Sequence, residues 1–186
     1  TAAIALATFA IAATVGVDRG SAGLAGRARL WALGGLLLGL PLLVGQGLTR
    51  LDYSATRGVR AQQLIDRHRQ QGDTVVIITA TNSFITRPIA DLYGVNFLLA
   101  TEPELVHERY TGKVDGIPCF QHGKVEKLDT WLGNNDTGLE DSWFYSDSHN
   151  DLPLLNRVTR PVAVDHDDIL RQHAIEHEWR IMSLRD

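Results

Sequence analysis

The densest cluster of chemically useful side chains in this sequence is the run Phe144-Tyr145-Ser146-Asp147-Ser148-His149-Asn150-Asp151-Leu152-Pro153. An apolar stretch leads into Asp147, and Asp151 follows four residues later with Asn150 beside it. Two carboxylates at that spacing, one ending a strand and one on the first turn of a helix, can converge on a single hard cation. Such ions take oxygen ligands, and Mg2+ keeps several of its waters. The run is also good turn chemistry, because Asp, Ser and Asn side chains bond to nearby backbone. The apolar residues on both sides favour the cation site, since they would fix the loop between a strand and a helix.

Other positions have suitable chemistry but need company. Thr79 closes the β-branched run Thr74 to Thr79 and is followed by Ala80; a threonine there ordinarily makes a turn or caps a helix. Lys124, in Gly123-Lys124-Val125-Glu126-Lys127-Leu128, stands at a helix start, where a lysine is ordinarily solvated. His173 and His177 are spaced i, i+4 and could bind zinc on one helix face. No third ligand accompanies them, and the pair reads as a solvated face. Asp165 and Asp167, in Val164-Asp165-His166-Asp167-Asp168, read as a turn and a helix N-terminus.

These residues need elements to position them, and from Val59 onward the elements alternate. Residues 59–71 put Val59, Leu64, Ile65 and His68 at helical spacing, with Gly72 where a helix-ending glycine belongs. Thr74 to Thr79 is apolar on both faces, the pattern of a strand buried between two helical layers. Residues 81–94 predict a helix with polar N-cap candidates, Pro88 in an early turn and Gly94 as its stop. A strand over Asn96 to Thr101 precedes a solvent-facing, hairpin-like insert over 108–120, with turns signalled by Thr111-Gly112 and Asp115-Gly116. A helix over Gly123 to Leu132 carries Val125, Leu128, Trp131 and Leu132 on one side. A strand over Ser142 to Asp147, a helix over 151–158, a strand over 161–165, a helix over 167–179 and a strand over 180–184 complete the series. Strands and helices alternating at this spacing predict an α/β fold, a three-layer parallel sheet with helices on both faces. In such sheets ligands sit beyond the carboxyl ends of the strands, where Thr79 and Asp147 stand.

Residues 1–50 are of another kind. Through Thr49 the charged side chains are Asp18, Arg19, Arg27 and Arg29. Ala2 to Val17 and Leu30 to Leu48 are nearly unbroken apolar runs, each compatible with helix, so an apolar helical N-terminal segment is expected ahead of the core over 59–186. The second run approaches the ~20 residues that cross a bilayer, and Arg27, Arg29 and Arg50 flank it as anchors would. A membrane hairpin, with membrane association through residues 30–48, is one reading. A buried helix pair is another. A third is a stretch foreign to the core, since Ala, Gly, Leu and Arg dominate it, as they do when GC-rich coding DNA is read in a shifted frame.

The 186 residues are 44% apolar and 22% charged, ordinary for a chain that buries a core. A net charge of −4 without a basic stripe argues against nucleic-acid binding. One cysteine, Cys119, excludes an internal disulfide and a cysteine-based zinc cluster and suits a reducing compartment, so a cytoplasmic location is expected.

Taken in order, Thr79-Ala80, Lys124 and Asp147-Ser148-His149-Asn150-Asp151 resemble motifs of the haloacid dehalogenase superfamily, most closely its phosphoserine-phosphatase-like branch, over about Val59 to Leu184. The stretches 100–104, 109–120 and 160–165 are similar to the same branch. The resemblance implies a Mg2+-dependent phosphomonoesterase that acts through an aspartyl-phosphate on a small phosphorylated metabolite such as phosphoserine or histidinol phosphate. It implies that the Thr79 hydroxyl and the Ala80 N–H hold a phosphoryl oxygen, and that Lys124 neutralises the phosphate and the aspartyl-phosphate. Asp147 would bind Mg2+, with Asp151 sharing or supporting that site and Asn150 supporting it from the phosphate side.

One part of that pattern is missing. Family members open with a strand leading to Asp-x-Asp-x-Thr, whose first aspartate attacks phosphorus and whose second acts as general acid and base. Asp18 and Asp52 lack a second aspartate two residues on, and residues 19–51 bear no resemblance to the substrate-selecting cap. The first strand, nucleophile and cap are therefore expected to be absent or replaced, and turnover to be little or none. The rival expectations are a non-catalytic phosphate-binding module, membrane-tethered or not, and a truncated gene product.

Overall fold

A computed structural model of the chain describes residues 4–7 and 58–185. Its elements in chain order are β1 (Ile4–Ala7), α1 (Val59–Gln70), β2 (Thr74–Asn82), α2 (Ser83–Leu92), β3 (Phe97–Val106) and β4 (Arg109–Asp115). These are followed by α3 (His122–Asn134), β5 (Trp143–Ser146), a 3-10 turn (His149–Asp151), α4 (Leu152–Leu155), β6 (Arg160–Val164), α5 (Asp168–Glu176) and β7 (Arg180–Met182). One sheet holds the strands in the order β4-β3-β2-β1-β5-β6-β7. β3 and β4 pair antiparallel, and the remaining pairs are parallel.

The two-faced apolar pattern of β2 is used as its sequence predicts. Val75 and Ile77 pack with Ala61 and Ile65 of α1 and Ile89 and Ala90 of α2. Val76 and Ile78 point the other way, into a cluster with Leu128 and Leu132 of α3, Phe144 of β5, Leu154 and Leu155 of α4 and Leu170 of α5. Each fully buried side chain of this size stabilises the fold by about 1.5–3 kcal/mol relative to leaving it exposed. Among the described residues, two helices thus cover one face and three the other. α1 and α2 both end on a glycine with positive φ, Gly72 at 86° and Gly94 at 64°. The N–H groups of Asp73 and Val95, one residue further on, reach back to the carbonyls of His68 and Ala90, a closure that satisfies otherwise unpaired helix-end carbonyls.

Five differences from the expected elements stand out. Within the run expected to be helical, Ile4–Ala7 forms the central strand, parallel to β2 and to β5. A strand in a parallel sheet covered by helices on both faces reads as a continuous apolar run rather than an alternating one. The rest of the expected helical segment, the candidate membrane run 30–48 and the expected cap region 19–51 lie outside the described residues. Among the described residues no helix is long and apolar enough to cross a membrane. Val59 is 60% exposed rather than core-facing, and Ala61 takes the buried place. β2 continues three residues past Thr79, with irregular pairing to β3 between Ile78 and Asn82. The β3–β4 turn falls at His107 and Glu108, both at positive φ, rather than at Thr111-Gly112, which lies within β4. Pro88 stands in the interior of α2, not in its first turn, even though the helix starts only at Ser83.

Candidate functional site

All strands except β4 run the same way, so the ends of β2 and β5 open on one edge of the sheet. Lys124 reaches that edge from the first turn of α3. Two local features put it there. Gln121 enters the helix at φ 47°, and Gly123 sits so close to the preceding segment that a Cβ there would overlap the Pro118 carbonyl oxygen. Only glycine allows that approach. The lysine is 3% exposed, against the usual habit of its type. Its Nζ lies 2.6 Å from Oδ1 of Asp151, a residue 2% exposed. The other oxygen, Oδ2, accepts a hydrogen bond from Ser146 Oγ at 2.6 Å. Asp151 therefore spends both oxygens inside the protein, fixing the ammonium group of Lys124.

Asp147 is differently placed. It follows the last residue of β5 directly, and among the described residues its carboxylate has no side-chain hydrogen bond or ion pair. Burial pushes its carboxyl above the usual aspartate range; a hydrogen bond from its own backbone N–H and the charge of Lys124 pull it down, and Asp151 and Asp167 add to the rise. A half-buried, unpaired carboxylate is costly unless a proton or a cation offsets it.

The loop from Asp147 to Asp151 is tied internally and externally. Ser146 Oγ accepts from the Ser148 N–H at 3.2 Å, and Ser148 Oγ accepts from the Asn150 N–H and Nδ2 at 3.2 and 3.1 Å. Asn150 Oδ1 accepts from Gln121 Nε2 at 3.0 Å, so its amide bridges the loop to the start of α3. Thr79 is 6% exposed and its Oγ1 accepts from the Thr81 N–H at 3.2 Å, which leaves the hydroxyl hydrogen able to donate. Ala80 is exposed and its carbonyl accepts from Thr101 Oγ1 at 2.9 Å. The Cys119 thiol lies among these groups. Burial pushes it up to about 11, against the fields of Lys124 and Lys127 and a hydrogen bond from the Thr79 backbone. A thiol so shifted stays protonated at neutral pH and is no substitute nucleophile.

The geometry thus gathers Lys124, Asn150 and Asp151 with Asp147 beside them, and Thr79 reaches the same cluster through Cys119. Ser146, Gln121, His149 and Asp167 also join it; sequence reasoning read Asp167 as a helix start, which it is, and singled out none of the other three. For Ser146 the signal was its place in a buried strand immediately before Asp147, since a hydroxyl there needs a partner. His173 and His177 stack at 3.9 Å between ring centroids. Among the described residues no group of three or more His, Cys, Asp or Glu could hold a metal ion. The zinc reading therefore gains no third ligand.

The position of β1 also changes the reading of the N-terminus. The first strand is present, and the sequence beyond it runs Thr8-Phe9-Ala10-Ile11-Ala12-Ala13-Thr14. No aspartate stands among them, so the Asp-x-Asp-x-Thr pattern is not found after this strand. Residues 8–14 lie outside the described residues.

A family model described as haloacid dehalogenase-like hydrolase matches residues 36–156. The chain is 37% identical over 128 residues to a histidinol-phosphatase of Neisseria meningitidis serogroup C, covering 67% of this chain and 58% of that protein. It is 32% identical over 124 residues to a phosphoserine phosphatase of Mycobacterium tuberculosis, covering 67% and 40%. The chain thus spans about half the length of these curated relatives. Among solved structures, a protein of unknown function from Bordetella pertussis Tohama I superposes with a TM-score of 0.82 at 32% identity, covering 100% of both chains. A phosphoserine phosphatase in its apo form shares the fold, with a TM-score of 0.55 at 19% identity over 67% of this chain and 60% of that one.

Proposed function

We propose that this chain, which belongs to the haloacid dehalogenase-like hydrolase family, carries the phosphate- and Mg2+-binding part of a phosphomonoesterase for a small metabolite, phosphoserine- or histidinol-phosphate-like, and turns substrate over little or not at all. The observation that carries this is the buried Lys124–Asp151 pair beside the unpaired carboxylate of Asp147. A lysine held there at 3% exposure by a buried carboxylate presents a fixed positive charge at the strand edge, which suits a dianionic phosphoryl group.

The residues fit Mg2+ on one condition. Asp151 has both oxygens engaged, so it supports the site through Lys124 instead of sharing the ion, and Asp147 is the carboxylate that would hold it. A single carboxylate suits Mg2+, which retains waters, and the shifted carboxyl of Asp147 agrees with a group that awaits a cation. When bound, Mg2+ would offset charge on the phosphoryl oxygens. Lys124 would neutralise another part of that charge, and the Thr79 hydroxyl would donate to a phosphoryl oxygen. The covalent step needs an aspartate nucleophile, and the sequence from Thr8 to Thr14 after β1 holds none. Loss of a nucleophile commonly removes several orders of magnitude in rate.

Hydrolysis of p-nitrophenyl phosphate with Mg2+ tests this. The chain and its Asp147→Asn variant should both be inactive. Turnover by the unaltered chain that Asp147→Asn abolishes would overturn the predicted inactivity.

A further inference from the structure

We infer that Asp167, acting with His149, holds the Asp147–Asp151 loop in its cation-binding shape and is a positioning residue of this site. The inference rests on the reading above that Asp147 holds the cation. From sequence, the Asp165-His166-Asp167 turn carries no role beyond starting a helix. The structure separates its two aspartates. Asp165 turns toward the C-terminal strand, where its oxygens accept from Ser183 Oγ at 2.6 Å and the Leu184 N–H at 3.0 Å.

Asp167 turns toward the site, and four hydrogen bonds meet on it. Its backbone N–H donates to the carbonyl of Asp147 at 2.9 Å. Oδ2 accepts from the backbone N–H of His149 at 2.8 Å and lies 2.8 Å from its ring Nδ1. Oδ1 caps α5 by accepting from the Leu170 N–H at 2.8 Å. One residue therefore grips the loop at its first and third positions and fastens both to the start of a helix whose Leu170 is fully buried. The other loop bonds, through Ser146, Ser148 and Gln121, fix the side toward α3; Asp167 fixes the side toward β6. Partners of this kind orient a ligand without touching the ion.

The test compares the full chain with its Asp167→Asn, Asp167→Ala and His149→Ala variants, using Mn2+ as the probe cation, amide hydrogen exchange and thermal unfolding. Asparagine keeps a cap acceptor for Leu170 but cannot also accept at the His149 N–H, so its Tm should stay near that of the unaltered chain while alanine lowers it. Both Asp167 substitutions should weaken Mn2+ binding about 10-fold and speed exchange at the His149 amide. His149→Ala, which keeps the Asp167 charge, should weaken binding by a smaller factor. Unaltered exchange at His149 in Asp167→Asn would overturn the inference. So would weaker binding in Asp167→Asn with none lost in His149→Ala, because charge alone would then explain it. If the unaltered chain binds no Mn2+, the cation reading fails by itself, and exchange at His149 still decides whether Asp167 holds the loop.

Discussion

Two buried polar clusters flank β5, one on each face of the sheet, and consecutive residues of that strand serve them. Tyr145 points to α1, where its hydroxyl lies 2.7 Å from Nε2 of His68, whose Nδ1 lies 2.6 Å from Oδ2 of Asp73. Ser146 points the opposite way, as alternate strand residues must, and joins Asp151 and Lys124. Both clusters are nearly solvent-free. The His68 cluster is closed: each ring nitrogen has a partner, and Trp143 and Tyr145 meet the ring edge-on. The Lys124 cluster is closed as well, yet the next residue in the chain, Asp147, is left with an unpaired carboxylate. The same strand thus supports one polar joint that fastens a helix and another that ends beside a carboxylate with no side-chain partner among the described residues.

The comparison breaks first at Lys124. Replacing it with Met strands the Asp151 carboxylate and should cost about 3–5 kcal/mol, read from urea unfolding; a loss well below 1 kcal/mol would mean that water reaches Asp151. Tyr145→Phe leaves His68 Nε2 unpaired and should cost about 1–3 kcal/mol. If the two faces are independent joints, the double variant should be additive to within about 0.5 kcal/mol, and a larger coupling would join the two clusters into one network.

Asp147→Asn should behave oppositely to both, leaving stability at neutral pH equal or higher. The carboxyl is raised in the folded state, so folding binds its proton more tightly than the unfolded chain does. Its contribution to stability is then lost as pH rises from the ordinary value of 3.8 through the raised one. The advantage of the asparagine variant should appear across that window and stay constant above it. The smallest effect belongs to the stacked pair on α5. Burial, then the neighbouring His177, lowers the pKa of His173 below its ordinary 6.5. Stability should therefore fall slightly as pH drops through 6.5, and His177→Gln should reduce that fall in pH-dependent thermal unfolding.

Alternation of apolar strands and helices made the three layers legible, because β2 needs cover on both faces whatever its neighbours are. Asp147 was legible for a similar reason, as a polar residue delivered by an apolar strand. Lys124 was legible only through its company: nothing in a lone lysine announces burial, and the cause lies in the close approach at Gly123. β1 was misread because Ile4–Ala7 lies inside a longer apolar run, where neither turn signals nor alternation mark a four-residue strand. The β3–β4 turn was misplaced because His107 and Glu108 adopt a conformation that glycine usually marks. Asp167 was undervalued because a cap and a loop anchor look alike until the partner 18 residues away is seen.

The strand order has a kinetic consequence. β1 stands between β2 and β5, so the strands leading to Thr79 and to Asp147 share helices and side-chain contacts but no backbone ladder. They become one continuous sheet only when Ile4–Ala7 enters the gap, and the partner residues in β2 and β5 lie far along the chain. Such closure is entropically expensive and slow relative to hairpin or helix formation. Assembly of the two halves is therefore a late event in folding. A chain cut between residues 7 and 58 would present a slot one strand wide, into which the matching short peptide could be supplied in trans.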